Sequence, residues 1–126
     1  MNMRENLAWI NSLPSGWGKL FERLIAAIAK EDAQAVVTMA KEKFGALRVH
    51  LDRYAGASRE LIDEASRQSV RACQRCGAPG ELTVLEHCYE TLCEQHTGLA
   101  RKPTDYPILV SFRVWSDGKP KDVDRS

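Results

Sequence analysis

The chain has 126 residues, 44% of them hydrophobic, and a formal net charge of +1. This is the size of one ordinary domain with enough apolar residues for a core, and the charge balance excludes a strongly basic nucleic-acid protein or an acidic tail. The longest apolar run, LIAAIA at 24–29, falls far short of the roughly 20 residues that cross a bilayer, so no membrane partner is expected.

At the N-terminus, MNMRENLAWINSLPSGW interrupts its apolar residues with Arg4, Glu5 and three asparagines, unlike the continuous apolar core of a secretory signal. A cytoplasmic location is expected. RENLAWIN predicts a short helix that ends before Pro14, because proline pushes the preceding residue out of the α region. SGWGKLFERLIAAIAK, at 15–30, sets Trp17, Leu20, Phe21, Leu24 and Ile28 at helical spacing, with Lys19, Glu22, Arg23 and Lys30 elsewhere. That is an amphipathic helix whose aromatic residues are core.

AVVTMAKEKFGALRVHLDRY, at 35–54, begins with β-branched residues and ends in alternation, Leu47, Val49 and Leu51 against Arg48, His50 and Asp52. Period two predicts a half-buried strand, and KEKFG predicts a hairpin turn near 42–45, with Gly45 free to adopt positive φ. The competing reading continues the first helix through AQAVVTMAKEKF to a stop at Gly45. After YAGA, Ser58 is placed to cap a second helix, with Glu60 in its first turn and Leu61, Ile62, Ala65 and Ala72 as a narrow apolar stripe running into Cys73. Downstream, YPILVSFRVW predicts a strand at 107–115, followed by a polar tail that frays. The fold class is α+β in a single domain over 1–126: a helix–hairpin–helix body at 1–72, a finger at 73–97 and a C-terminal extension at 98–126.

Residues 73–96, CQRCGAPGELTVLEHCYETLCEQH, hold all four cysteines and two of the three histidines. Cys73-x2-Cys76-Gly77 has the form of a zinc knuckle, in which two thiolates converge while backbone amides point at sulfur. Cys93-x2-His96 repeats the spacing, and the resulting Cys3His set suits structural Zn2+ in a tetrahedral shell that leaves no open position for catalysis. ELTVLEH reads as one strand of a small hairpin and CEQHTGLAR as a first helical turn, which together with the knuckle make a treble-clef order. Cys88 is then expected in the finger's small core as a buried free thiol, with His87 to spare, although either residue could in principle displace a ligand. A disulfide is disfavoured in a reducing compartment.

Residues 77–92 carry Glu81, Glu86 and Glu90 with no Lys or Arg, and three thiolates on zinc leave that centre at about −1. Such a finger repels phosphate. Over 41–75 lie eight cations, Lys41, Lys43, Arg48, Arg53, Arg59, Arg67, Arg71 and Arg75, against five acids. This surplus fits either a solvated face or a surface for an acidic protein or RNA. No Ser/His/Asp or Cys/His set and no phosphate loop is present, and His50 beside Arg48 and Asp52 reads as part of a surface ion pair rather than an acid–base group.

The order GW…L…L, KEKFGALR, a helix ending in CQRCGAPGEL, and TLCEQH resembles a group of small uncharacterised proteins of bacteria and their phages, over residues 16–97. The resemblance implies a hairpin at KEKFG and metal ligation by Cys73, Cys76, Cys93 and His96. The finger is also similar to that of the DksA/TraR family of RNA polymerase regulators in its CxxCG start and later CxxC pair, with His96 in place of the last cysteine. The strand-like 46–53 segment contradicts that family's long helical hairpin, so this second likeness is one of finger fold only. The combined expectation is a non-enzymatic binding protein of phage or mobile-element origin. It would inhibit or modulate a host protein or ribonucleoprotein complex, a CRISPR effector being one such target. The alternative is a nucleic-acid-binding or RNA-polymerase-associated regulator.

Overall fold

In the computed structural model, which describes residues 3–98, Pro14 separates the first helical segments from the main helix. Helix α1 (Met3–Leu7) passes into a 3-10 turn at Ala8–Ser12, and a second 3-10 turn at Ser15–Trp17 opens α2 (Gly18–Glu31). The apolar face predicted for α2 is buried: Trp17, Leu20, Phe21, Leu24, Ile25 and Ile28 form the centre of the core. Each such side chain contributes about 1.5–3 kcal/mol of burial free energy. The helix stops at Asp32, whose backbone is extended and whose carboxylate accepts the Gln34 N–H at 2.9 Å, turning the chain towards the first strand.

Strands β1 (Val37–Lys43) and β2 (Ala46–Leu51) pair antiparallel from Val37↔Leu51 to Lys43↔Ala46. The two-residue turn between them, Phe44–Gly45, has φ of 55° and 83°, the type I′ geometry whose twist matches that of the flanking strands. The hairpin therefore replaces the alternative long helix. Leu47, Val49 and Leu51 are buried against the helices and His50 is exposed, as the alternation predicts. The outer edge of β1 is covered by the N-terminal segment. Buried Asn6 donates to Ala35 O at 2.9 Å and accepts from Val37 N at 3.0 Å, and the Trp9 indole donates to Val37 O at 3.2 Å.

The second helix begins differently from its expected form. Helix α3 (Ser58–Ser69) has Ala57 at its N-cap, and Ser58 is a fully buried first-turn residue whose hydroxyl caps nothing. Glu31 of α2 closes the helix start instead: its carboxylate accepts the N–H of the N-cap residue Ala57 at 2.9 Å, the bond that the third-residue side chain of a capping box otherwise makes. The helix also ends earlier than its apolar stripe, at Ser69. There the Ser69 hydroxyl donates to Ser66 O at 2.6 Å and accepts from Leu47 N at 2.9 Å, fastening the helix end to β2. Ala72 follows in extended backbone, bridged to Pro79.

A second hairpin, β3 (Glu81–Leu85) and β4 (Cys88–Leu92), pairs from Glu81↔Leu92 to Leu85↔Cys88 around the turn Glu86–His87. Its small apolar cluster is Cys73, Leu92 and Cys93, with Ala78 packed against them. The stretch from Cys93 to Thr97 closes as one turn, in which the His96 N–H at 3.1 Å and the Thr97 hydroxyl at 2.7 Å both donate to Cys93 O. A helix continuing from that turn, the strand at 107–115 and the C-terminal extension fall on residues 99–126, outside the described residues. Among the described residues no helix is long and apolar enough to cross a membrane.

Candidate metal centre

The sequence brings its first two sulfurs together through a tight turn. Gly77, at φ 83°, lets its N–H reach Cys73 O at 2.8 Å, and the Arg75 N–H points back at the Cys73 sulfur at 3.4 Å. Cys73 N–H donates to Ala78 O at 2.7 Å, so both ends of the knuckle are closed by backbone bonds. The β3–β4 hairpin then returns the chain to the same point, and the turn after β4 sets Cys93 and His96 opposite the knuckle.

The ligand atoms of Cys73, Cys76, Cys93 and His96 lie within 4.8 Å of one another. Their separations are informative. Cys76 and Cys93 sulfurs stand 3.7 Å apart, and His96 Nδ1 lies 3.4 Å from the Cys73 sulfur and 3.1 Å from that of Cys93. A tetrahedron with metal–sulfur bonds of about 2.3 Å and a metal–nitrogen bond of about 2.0 Å has edges of about 3.8 Å and 3.5 Å. The spacing therefore matches ligands around one ion and is far longer than the roughly 2.0 Å of a sulfur–sulfur bond.

Electrostatics make the same demand. Burial pushes the Cys73 thiol up, but backbone N–H groups of Cys93, Arg75 and Cys76 outweigh it and bring the group down to about 6. At Cys76 a lowering hydrogen bond from the Ala78 backbone is overcome by partial desolvation and by the neighbouring Cys93 and Cys73 sulfurs, so its thiol is raised. Adjacent thiolates cannot all ionise without a cation between them; a divalent metal removes that conflict. The four residues form a cluster able to hold a metal ion. Comparison of the chain with known protein families, curated proteins and solved structures finds no match. The reading of this site rests on its own geometry.

Two expectations about the finger meet different outcomes. His87 lies outside the cluster, exposed in the hairpin turn at φ 69°. Cys88, expected in the finger's core, is instead exposed. It opens β4 directly after a two-residue turn and pairs with exposed Leu85 at the hairpin tip, where neither face is covered; the interior positions belong to Leu82, Thr83, Thr91 and Leu92.

The knuckle is seated on the body by residues that the cysteine spacing did not reveal. Gly16 N–H donates to Gln74 O at 2.8 Å, Ser15 Oγ to Arg75 O at 3.2 Å and the Trp17 indole to Ala72 O at 3.0 Å. A Cβ on Gly16 would overlap the Cys73 carbonyl oxygen and stand 2.7 Å from Gly77 N, so only glycine permits this approach. Buried Gln74 ties the knuckle to β4 twice, its N–H donating to Thr91 O at 2.8 Å and its side-chain oxygen accepting from Thr91 N at 2.7 Å. Thr91 Oγ1 in turn donates to Gly45 O at 2.8 Å, joining the finger to the turn of the first hairpin. The signal for the first of these contacts was the SGW triplet, of which sequence reasoning used only the apolar part of Trp17.

The basic set is dispersed. Arg53 pairs with Asp32 at 2.7 Å, Arg67 with Glu64 at 2.7 Å and Arg75 with Glu90 at 3.9 Å. Lys43 lies 6.0 Å from the Phe44 ring centre, and Arg71 is exposed beyond the end of α3. Lys41 and Arg48 face each other across β1 and β2, and Arg59 stacks 4.0 Å over the Tyr54 ring. His50 sits among these last three: partial burial first, then the charges of Arg48, Lys41 and Arg59, depress its pKa. Asp52, expected to pair near His50, instead accepts the Val36 N–H at 2.8 Å.

Proposed function

We propose that the metal is Zn2+ and that the protein is a non-enzymatic, zinc-stabilised binding protein acting by protein–protein contact. Three thiolates and one imidazole are the donor set that suits zinc, and four protein ligands leave no position for a reacting water. The residues that hold the ion are Cys73, Cys76, Cys93 and His96 through Nδ1, and the ion's role is to fasten a stretch too small to fold alone.

The observation that carries the binding reading is the end of the molecule formed by the two hairpin tips. Phe44 is 40% exposed and Leu85 47% exposed, and the Phe44 ring meets Tyr89 edge-on at 6.1 Å. Phe44 also sits at φ 55°, a conformation that costs a bulky residue about 1–2 kcal/mol. An exposed aromatic residue held in strain, with a second aromatic beside it, is the kind of anchor that protein partners bury. The resemblance to small bacterial and phage proteins supports a mobile-element origin and a host complex as the target, a CRISPR effector being one candidate.

The experiment is affinity capture from host lysate with the wild-type chain and with Phe44→Ala, with elemental analysis of the bait. The reading expects stoichiometric zinc and one host complex retained by the wild type and lost by the variant. A bait without zinc removes the metal assignment, and equal capture by both proteins removes the tip as the binding surface. The alternative, a nucleic-acid-binding or RNA-polymerase-associated regulator, draws on the Lys41, Arg48 and Arg59 charges around His50. It predicts a shift of RNA or DNA at low salt with a steep dependence on salt concentration.

A further inference from the structure

We propose that the surface at the two hairpin tips is regulated by the metal centre, an ion held by Cys73, Cys76, Cys93 and His96 fixing the pose of Phe44 through Gln74, Thr91 and Gly45. The inference rests on the zinc and binding-tip readings above and joins them. Its first support is an unbroken line of polar contacts between the two places. Gln74 lies in the knuckle between Cys73 and Cys76 and is 7% exposed. Its N–H and its side-chain oxygen hold both backbone polar groups of Thr91, two residues before Cys93. Thr91 is fully buried, and its hydroxyl donates to Gly45 O in the turn that carries Phe44. Bonds between groups this deeply buried are costly to break, because water cannot replace the missing partner.

The second support is the turn itself. Phe44 and Gly45 are both left-handed, and of the two only phenylalanine is strained by it. Gly45 is clamped at both polar ends: its N–H donates to the Glu42 carboxylate at 2.7 Å and its oxygen accepts from the Thr91 hydroxyl at 2.8 Å. Leu82 of β3 closes the clamp, packed so near Gly45 that an added Cβ would overlap Leu82 Cδ1. One jaw therefore belongs to the body and the other to the finger. A strained turn under a two-sided clamp has two arrangements, held and relaxed, and an ion that orders the finger biases it towards the held one. Tyr89 follows the same jaw. It lies two residues from Thr91 on the same face of β4, so the strand that clamps Gly45 also sets the Tyr89 ring edge-on to Phe44.

Linkage makes the effect reciprocal. If the ion favours the held turn, a change that loosens the turn from the body's side must weaken ion binding, although no ligand is touched. Loss of the ion frees both the backbone of Phe44 and its aromatic neighbour, so the tip no longer presents its anchor in one pose and a partner must order it on binding.

The test uses the full chain labelled with para-fluorophenylalanine and followed by fluorine NMR. The Phe44 signal is identified by its loss in Phe44→Leu, and the signal of Phe21, buried in α2, reports on the body. Chelation should move the Phe44 signal and leave that of Phe21, and added zinc should restore it. In Thr91→Val at saturating zinc the Phe44 signal should lie displaced towards its metal-free position, with Thr91→Ser restoring the wild-type value. A hydroxyl that merely stabilised the finger would leave the signal in place once zinc saturates the chain. Glu42→Ala, on the body's jaw, should raise the zinc Kd about fivefold. A Phe44 signal indifferent to zinc, a Thr91→Val signal at the wild-type position, or an unchanged zinc Kd in Glu42→Ala overturns the linkage and leaves the zinc reading intact. A chain that binds no zinc overturns both, and equal capture by the wild type and Phe44→Ala overturns the regulation together with the tip reading.

Discussion

The body and the finger are held together by different physics. In the body, Trp17, Phe21, Ile25, Ile28 and Leu47 are each less than 2% exposed, and the helices and first hairpin enclose a continuous apolar core. In the finger the apolar cluster is Cys73, Leu92 and Cys93, so two of its three buried members belong to the cluster able to hold a metal ion. Apolar burial in the finger is far smaller than in the body. The finger has a cluster able to hold a metal ion and the polar bonds of Gln74 and Thr91, and it borrows rigidity from the body at Gly16 and Gly45. The difference shows how a short chain adds a second structured unit without a second hydrophobic core.

The largest expected effect comes from removing the metal. Zinc binding contributes on the order of 10 kcal/mol in isolated finger peptides, and nothing in the finger's small cluster replaces it. Chelation should abolish amide protection over residues 73–98 while α2 and the β1–β2 hairpin keep theirs, which hydrogen exchange reads directly. If the body's amides lose protection at the same chelator concentration, the two regions form one cooperative unit and the contrast drawn above is wrong.

Next in size is Gly16→Ala. A Cβ there overlaps the Cys73 carbonyl, and backbone on both sides leaves it no room, so a loss of about 3 kcal/mol is expected. Gly18→Ala, two residues on, is the control. Its Cβ would meet only Ile10 Cδ1 at 3.5 Å, an ordinary contact, and a helical alanine should stabilise by about 0.5–1 kcal/mol. Urea midpoints of the two variants should move in opposite directions; movement in the same direction would deny that Gly16 is the seat of the finger.

Gln74→Ala probes the polar side of the comparison. It leaves the buried Thr91 N–H without its side-chain acceptor, a penalty of about 1–3 kcal/mol that should appear in finger amides before body amides.

Period and spacing made the architecture readable. The 3.6-residue pattern of α2, the alternation of β2 and the CxxC and CxxH spacings each report a repeating geometry, and the fold follows them. What stayed hidden depends on contacts distant in sequence. Nothing local says that Glu31 will accept the Ala57 N–H at the start of α3, that Ser58 will be buried inside the first turn, or that a tight Glu86–His87 turn will put Cys88 at an uncovered tip. Gly16 and Gln74 are also invisible to periodicity, because their roles are defined by the knuckle that lands on them. The Cys3His cluster was legible because metal chemistry restricts residue type and spacing together; a protein-binding surface carries no such restriction.

The smallest effect is expected at Phe44, where the body touches the finger's Tyr89. At φ 55° a phenylalanine pays a steric cost of about 1–2 kcal/mol that asparagine largely avoids, because its short polar side chain tolerates the left-handed region. Against that gain, Phe44→Asn loses an edge-on ring contact of about 0.5 kcal/mol at an exposed site. The balance is a modest stabilisation, about 0.5–1 kcal/mol, with weaker partner capture. Phe44→Ala loses the same contact and keeps the strained backbone, so it should be slightly less stable than the wild type. Opposite signs in thermal or urea unfolding, with both variants defective in capture, would mean that the strain is kept for binding. Equal destabilisation by Asn and Ala would instead make Phe44 a strut between the two hairpins, and would move the boundary between body and finger to include it.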